Sequence, residues 1–185
     1  MEQNFESLRQ EIVDKSLEAF RQGLFSGTSG NMSCRVAPDE MLITPTSVRY
    51  EALRAQDIVR MKLDGMVVEG ALQPSSEWRM HAAVYKAYPE TNAVFHTHSP
   101  YATAFAVVRR SIPAVLIEAR IFLGGDVRCA DYATPGTKEV GMNAVPALFE
   151  RGGCTLANHG VLAVGEDLAQ AYLRAEYIED VAKIY

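Results

Sequence analysis

The sequence predicts one mixed α/β domain in which helices cover both faces of a largely antiparallel sheet. Its 185 residues are enough for a single domain with a sizeable core. Apolar residues recur at helical spacing near both ends of the chain, and short β-rich runs between them are bounded by turn residues. We find no internal repeat, linker or low-complexity segment, so the predicted domain covers residues 1–185.

Five helices are predicted from apolar spacing and from capping residues. They run over roughly residues 2–22, from Ser75 or Ser76 to about Tyr88, over residues 101–108, from Thr137 to about Glu150, and from Asp167 towards the C-terminal end. Asp167 followed three residues later by Gln170 is typical of a capping box. Pro146 should kink the fourth helix or shift its start.

Strands are predicted where β-branched and apolar residues form short runs between turns. These runs cover residues 32–36, 41–43, 57–63, 66–69, 93–95, 112–117, 126–130, 154–157 and 161–164. Asp64-Gly65 between two of the runs predicts a β-hairpin. Gly124-Gly125 predicts a turn.

Composition excludes several classes of partner. The net charge of −5 gives no electrostatic footprint for nucleic acid. No stretch approaches the roughly 20 apolar residues of a membrane span. Residues 1–4 lack the basic start of a signal peptide, so we expect a cytoplasmic protein. Cys34, Cys129 and Cys154 are odd in number and scattered, which favours reduced thiols and argues against a role as ligands.

A pair of histidines closes the apolar run at residues 93–95. His96 and His98 are two residues apart, so on a strand they project to the same face. Imidazole binds zinc and its neighbours in the transition series, and a catalytic zinc usually takes three protein ligands. His159 lies in a predicted turn between two strands and is our third candidate. The alternative is that the pair only caps a strand through hydrogen bonds.

Two further titratable residues lie on the second predicted helix. Glu77 falls in its first turn, where a carboxylate could serve a metal site or simply complement the helix dipole. His81, one turn later, could form a metal-binding pair with Glu77. The sequence favours a structural histidine at this position.

Three loops are rich in hydroxyl groups or glycine and could each hold an anion. They are residues 27–33 (GTSGNMS), 44–47 (TPTS) and 73–76 (QPSS). Plain turns are the alternative, and the first loop lacks the Gly-Lys-Ser/Thr of a phosphate-binding P-loop. A metal, a nearby carboxylate and a phosphate site together would suit enediolate chemistry on a phosphorylated keto-sugar.

The chain resembles the class II aldolase/adducin family over nearly its whole length. The resemblance rests on residues 27–33 (GTSGNMS), 42–46 (LITPT), 74–79 (PSSEWR), 96–98 (HTH), 132–137 (YATPGT) and 158–160 (NHG), in that order. It implies a three-layer α/β/α fold for residues 1–185, with a largely antiparallel central sheet. It also implies a homotetramer with sites at subunit interfaces.

The resemblance further implies a function and a set of residues. The activity would be the reversible, zinc-dependent cleavage of a ketose 1-phosphate such as L-fuculose 1-phosphate to dihydroxyacetone phosphate and an aldehyde. One Zn²⁺ per subunit would be bound by His96, His98 and His159. Glu77 would transfer the proton and approach the metal when no substrate is bound. Phosphate contacts would come from a third group of residues: Gly30, Asn31, Thr46, Ser47, Ser75 and Ser76.

The sequence departs from the family pattern at three places. Ser47 stands where the family commonly has glycine. The catalytic tyrosine before the Gly-Gly turn has no obvious counterpart in residues 115–118, although Glu118 could substitute for it. The sequence ends at Tyr185, before the family's C-terminal tail, where another tyrosine contributes.

Related proteins offer rival functions on the same scaffold. The 4-epimerases usually carry aspartate at the position of Glu77, which favours the aldolase. The dehydratases and decarboxylases use glutamate there, so these two activities stay open as alternatives. An adducin-like interaction module lacks the three histidines. A structural zinc site would need a fourth protein ligand.

Overall fold

A computed structural model describes residues 5–185 as an eight-stranded sheet with six α-helices and a short 3₁₀ helix. The helices are α1 (Glu6–Arg21), α2 (Trp78–Ala87), α3 (Pro100–Val107), α4 (Ile117–Leu123), α5 (Lys138–Leu148) and α6 (Leu168–Ile184). The strands are β1 (Asn31–Ala37), β2 (Glu40–Ile43), β3 (Val59–Lys62), β4 (Val67–Glu69), β5 (Ala93–Thr97), β6 (Arg128–Ala130), β7 (Gly153–Leu156) and β8 (Gly160–Gly165). The 3₁₀ helix spans Ala55–Asp57.

The strands lie in the order β4-β3-β2-β1-β5-β8-β7-β6. Within the described residues, six neighbouring pairs are antiparallel and the pair β6–β7 is parallel, so the sheet is mixed. Strands β5 and β8 lie at its centre, and all their residues are buried. The central strands therefore supply a rigid platform for any side chain at their ends.

The two faces of the sheet carry separate apolar clusters. Leu42 and Phe95 belong to one cluster, and their neighbours Ile43 and Val94 belong to the other, as the two-residue period of a strand requires. The first cluster includes residues of α1, α3, α4 and α6, and the second includes residues of α2 and α5. Helices thus pack on both faces, and the predicted α/β class is confirmed.

Most predicted elements are present with shifted ends. The Asp64-Gly65 hairpin joins β3 to β4, and the Gly65 N–H donates to the Lys62 carbonyl at 3.0 Å. Asp167 caps α6, because its Oδ1 accepts a hydrogen bond from the Gln170 backbone N–H at 2.7 Å. The first helix begins at Glu6, and residues 2–4 of its predicted range lie outside the described residues.

The predicted strand over residues 112–117 is wrong. Ile112 makes only an isolated bridge to Val127, and Ile117 begins α4. Pro113 removes a backbone donor that a ladder would need, and the Val115 side chain is 48% exposed, so no sheet face lies over it. The predicted start of the third strand at Asp57 is also wrong, since Asp57 lies in the 3₁₀ helix.

Three smaller observations complete the fold. The helix that begins after Thr137 contains Pro146 and ends at Leu148, two residues earlier than predicted. All three cysteines are free thiols, and Cys34 and Cys154 are buried. Among residues 5–185, none of the helices combines the length and apolar character needed to cross a bilayer.

Candidate active site

Three imidazoles meet where the central strands end. His96 is on β5, His98 follows that strand, and their Nε2 atoms are 3.0 Å apart. His159 lies in the turn between β7 and β8, with its ring centroid 4.7 Å from that of His96 and 5.2 Å from that of His98. The predicted meeting of the three rings is therefore present.

His96 is oriented by a neighbouring strand. Its Nδ1 lies 2.8 Å from the backbone oxygen of Val161 on β8. A carbonyl oxygen can only accept a hydrogen bond, so Nδ1 carries the proton and Nε2 presents a lone pair to the cluster. Donation from the second ring nitrogen to a backbone oxygen is typical of metal-binding histidines.

Gly160 allows the turn that carries His159 to approach β5. A Cβ on this residue would collide with the backbone oxygen of Thr97 and would lie 3.1 Å from His98 Cδ2 and 3.2 Å from His96 Cε1. Only glycine leaves room for the two neighbouring rings here. The Asn-His-Gly sequence of the turn therefore has a steric basis.

Glu77 completes the cluster from the N-terminal end of α2. Its Oε2 is 3.0 Å from His96 Nε2, and its Oε1 is 3.1 Å from His159 Nε2. Helix α2 begins at Trp78, so Glu77 holds the N-cap position that the sequence assigned to Ser75 or Ser76. Ser75 instead closes the preceding turn, in which its carbonyl accepts from the Trp78 N–H and its Oγ accepts from the Glu77 N–H at 3.3 Å.

The surroundings of the cluster favour a carboxylate at Glu77 and a neutral ring at His98. Burial raises the pKa of the Glu77 carboxyl, but attraction to His96 and His159 outweighs burial and places that pKa well below its usual range. Burial lowers the pKa of His98 to about 4, helped by repulsion from His96 and His159. A neutral imidazole is the form that binds a metal ion.

These four residues fit a divalent metal ion. Ligand atoms from Glu77, His96, His98 and His159 all lie within 4.8 Å of one another. Ligands at about 2.0–2.1 Å from a tetrahedral zinc lie roughly 3.3 Å apart, close to the separations found here. Three imidazoles and one carboxylate suit zinc and other first-row divalent metals.

His81 stands apart from this cluster. Its Nδ1 lies 2.7 Å from Ser33 Oγ, and its Nε2 lies 2.5 Å from Asn31 Oδ1. Both ring nitrogens are therefore used, and burial lowers the pKa of this ring to about 3. The interpretation of His81 as a structural histidine agrees with these contacts.

The three candidate anion loops come together beside Glu77. The Ser75 N–H donates to the Thr44 carbonyl, and the Thr46 N–H donates to the Gln73 carbonyl, both at 3.0 Å. The first loop joins them because the Met32 N–H donates to Thr44 Oγ1 at 3.2 Å. Sequence reasoning placed the loops separately, and long-range backbone pairing makes them neighbours.

The individual loop residues differ in what they can offer a ligand. Thr46, Ser47 and Ser76 are exposed, whereas Ser75 is buried. Ser47 has φ +61°, a left-handed conformation that explains why glycine suits this position. Gly30 also has a positive φ, and a Cβ there would strike the Phe25 ring.

The side chain of Asn31 makes its hydrogen bonds inside the site. Its side chain is buried, its Nδ2 donates to Glu77 Oε2 at 3.0 Å, and its Oδ1 faces His81. Its backbone pairs with His96 in the β1–β5 ladder, so a phosphate contact from Asn31 is left to its second amide hydrogen.

One pair of residues at the site was not anticipated. The Arg109 Nε and Nη2 atoms donate to Asn158 Oδ1 at 3.2 and 3.1 Å, and both residues have left-handed backbone angles. The Asn158 N–H also donates to the Ala106 carbonyl at 3.0 Å. These bonds fix the turn that carries His159. Only the Asn-His-Gly turn signal could have suggested them.

The chain belongs to the class II aldolase/adducin family. The sequence profile described as "Class II Aldolase and Adducin N-terminal domain" matches residues 10–185. Together with the cluster of one glutamate and three histidines, this membership and the relatives below make the chain a metal-dependent (class II) aldehyde-lyase.

Its relatives include proteins named as aldolases. The chain is 42% identical to the L-fuculose phosphate aldolase of Escherichia coli (strain K12), over all of this chain and 84% of that protein. It is 38% identical to the 5-methylthioribulose-1-phosphate/5-deoxyribulose-1-phosphate aldolase of Rhodospirillum rubrum, over 97% of this chain and 80% of that protein. A solved structure of an L-fuculose 1-phosphate aldolase superposes with a TM-score of 0.93 at 39% identity, covering 97% of this chain and 84% of that chain.

Proposed function

We propose that this protein is a zinc-dependent aldolase that reversibly cleaves a ketose 1-phosphate, similar to L-fuculose 1-phosphate, to dihydroxyacetone phosphate and an aldehyde. The observation that carries the proposal is a buried carboxylate, Glu77, within 3.1 Å of the Nε2 atoms of His96 and His159. An acid beside a metal-binding set of imidazoles is the pairing that proton transfer next to a carbonyl requires.

In this proposal, His96, His98 and His159 hold the zinc ion. A divalent ion in that position would polarise the substrate carbonyl and favour an enediolate. Neutral imidazoles leave the full charge of the ion available, and the absence of cysteine from the cluster agrees with a catalytic rather than a structural zinc.

Glu77 is the proposed base. Its Oε2 is held by Asn31, while its Oε1 has no protein contact of this kind except His159 Nε2 at 3.1 Å. That oxygen can accept a proton from the hydroxyl-bearing carbon next to the carbonyl of dihydroxyacetone phosphate. The C–H electron pair then becomes the double bond of the enediolate, which attacks the aldehyde; cleavage is the reverse.

The loops beside Glu77 form the proposed phosphate site. Backbone N–H groups, hydroxyls and a side-chain amide from Gly30, Asn31, Thr46, Ser47, Ser75 and Ser76 would surround the phosphate. Helix α2 directs its N-terminal end towards the same region, which favours a negative charge there. Holding the phosphate would fix the distance from the reacting carbon to Glu77.

The three-layer fold, the homotetramer and the cytoplasmic location belong to the same proposal. Apolar clusters on both sheet faces support the three-layer α/β/α description. Val115, Ile117 and Ile121 expose between 48% and 66% of their surface, and an apolar patch of this kind supports the expected homotetramer. A cytoplasmic location is a prediction of the sequence alone.

Two substitutions test the site. His96→Ala should lose bound zinc and activity together. Glu77→Gln should retain zinc but slow proton exchange at dihydroxyacetone phosphate, by about 10²–10⁴-fold for loss of a general base. Zinc is measured by elemental analysis and exchange by NMR in D₂O. Exchange at the wild-type rate in Glu77→Gln would exclude this residue as the base.

A substrate panel tests the reaction. The zinc-loaded protein is incubated with L-fuculose 1-phosphate, 5-deoxyribulose 1-phosphate and other ketose 1-phosphates, and dihydroxyacetone phosphate is assayed. Release from at least one of them supports the aldolase. Dehydration, decarboxylation or epimerisation without release would favour the rival reactions of the same scaffold.

A further inference from the structure

A continuous line of hydrogen-bonded side chains links Tyr85, on α2, to the carboxylate of Glu77. The Tyr85 hydroxyl lies 2.8 Å from Ser33 Oγ, and Ser33 Oγ lies 2.7 Å from His81 Nδ1. The opposite ring nitrogen of His81 lies 2.5 Å from Asn31 Oδ1. Asn31 Nδ2 completes the line with a bond of 3.0 Å to Glu77 Oε2.

The members of this line are closed off from water. His81 and Ser33 have no exposed surface, Tyr85 is 1% exposed and Asn31 is 4% exposed. A buried polar group that loses its partner has no water to replace it. Breaking one hydrogen bond of the line would therefore leave the neighbouring side chains without a partner.

Chemistry fixes the direction of every bond in the line. A carboxylate can only accept, so the Asn31 amide must present its NH₂ group to Glu77 and its oxygen to His81. That oxygen needs a donor, so His81 carries its proton on Nε2 and leaves Nδ1 as an acceptor. Ser33 must then donate to Nδ1 and accept from Tyr85.

We propose that His81 is a positioning residue for the base Glu77, acting through Asn31 with Ser33 and Tyr85 behind it. By holding the Asn31 oxygen, His81 prevents the amide from turning its oxygen towards the carboxylate. Asn31 then holds Oε2 of Glu77, so Oε1, beside His159, is the oxygen that accepts the proton. This inference rests on the proposed aldolase function.

The first test reads the His81 tautomer and needs no activity. Long-range ¹H–¹⁵N spectra of histidine-labelled full-length protein are recorded at pH 7 with and without zinc, and His81 is assigned from a His81→Gln spectrum. The expected result is a ring protonated on Nε2 alone. Protonation on Nδ1 would overturn the inference and leave the aldolase proposal intact.

The second test compares two substitutions of His81. His81→Leu removes the donor to Asn31, and we expect proton exchange to slow by about tenfold or more, the effect of losing one buried hydrogen bond. Bound zinc and KM should stay at the wild-type values. His81→Gln keeps an N–H that can reach the Asn31 oxygen, so it should recover most of the rate.

Two tyrosines of the same region provide a matched control. Tyr85→Phe removes the hydroxyl at the far end of the line and should lower the exchange rate a few-fold. Tyr88→Phe, at the C-terminal end of α2, removes a hydroxyl that donates to the Val145 carbonyl at 2.7 Å, outside the line, and should leave the rate unchanged.

The outcomes separate the possible failures. A loss of zinc or a rise in KM in His81→Leu, with kcat unchanged, would make the residue merely structural and overturn the inference. Equal effects of Tyr85→Phe and Tyr88→Phe would do the same. A wild-type protein that exchanges no proton would instead sink the aldolase proposal, while the tautomer measurement would still decide the direction of the bonds.

Discussion

A different neighbouring group sets the proton, the charge or the position of each imidazole in the cluster. A backbone carbonyl on β8 sets the proton of His96, and burial keeps His98 neutral. A turn held by Arg109 and Asn158 carries His159. The residue-level chemistry of the site is thus governed by groups that are not ligands themselves.

Gly160 provides a test at this scale. In Gly160→Ala the new methyl group must push away the backbone oxygen of Thr97, which cannot move without disturbing β5. We expect a loss of about 1–3 kcal/mol in the free energy of unfolding, together with weaker zinc binding. Urea denaturation and competition with a chelating dye measure the two effects.

Gly27→Ala is the matched control for that substitution. Gly27 has φ +62°, and a methyl group added there would have no atom within 4 Å, so only backbone strain opposes the change. Zinc binding should be unaffected in this variant. Wild-type zinc affinity and stability in Gly160→Ala would contradict the steric argument.

At the scale of elements, helix ends and strand ends carry the function. Helix α2 places Glu77 at its N-cap, and strands β5 and β8 place the histidines at neighbouring ends. Helix α6 packs against both strands and belongs to the apolar cluster beneath them. The stability of α6 therefore bears on the geometry of the site.

The cap of α6 gives a prediction for this element. Asp167→Ala removes the side-chain acceptor for the Gln170 N–H, and we expect a loss of about 1 kcal/mol in the free energy of unfolding. For a chain of this length, that corresponds to a fall of roughly 2–4 °C in Tm. Differential scanning calorimetry measures the change.

Asp180→Ala serves as the control on the same helix. It removes the same charge from an exposed position inside α6, away from the cap. We expect a change of less than about 0.5 kcal/mol, typical of surface substitutions. Equal shifts in the two variants would mean that charge, rather than capping, determines the effect.

At the scale of the whole molecule, the buried ring of His81 and the half-buried ring of His98 make stability depend on pH. The pKa of His81 falls from its usual 6.5 to about 3 through burial, and that of His98 falls to about 4. Between these values and pH 6.5, the unfolded chain binds protons that the folded chain does not. The free energy of unfolding therefore decreases as the pH falls through this window.

Urea denaturation of the metal-free protein tests this dependence. We expect a lower free energy of unfolding at pH 5 than at pH 7, and a shallower slope in His81→Gln, which lacks one of the two groups. The lowered pKa of Glu77 acts in the same direction at lower pH. Stability that is unchanged or higher at pH 5 would show that these rings are not buried as neutral groups.

The sequence predicted features that depend on neighbours along the chain. Spacing of two placed His96 and His98 on one face, Asp64-Gly65 predicted the hairpin, and Asp167 with Gln170 predicted a helix start. The prediction failed at residues 112–117, where β-branched side chains suggested a strand. Local propensity gave way there because Pro113 lacks the N–H that a ladder needs, so pairing with Val127 stops at Ile112.

By itself, the sequence determined which chemical groups the site contains: three imidazoles, a carboxylate and hydroxyl-rich loops. The sequence also predicted that the three imidazoles meet, and the tertiary structure decided which other groups contact them. It assigned His81 to Asn31 and Ser33 rather than to the cluster, and it set Glu77 against His96 and His159. The physical reason is separation along the sequence. Periodicity and capping act over a few residues, whereas these contacts join residues tens of positions apart through the packing of α2 on the sheet.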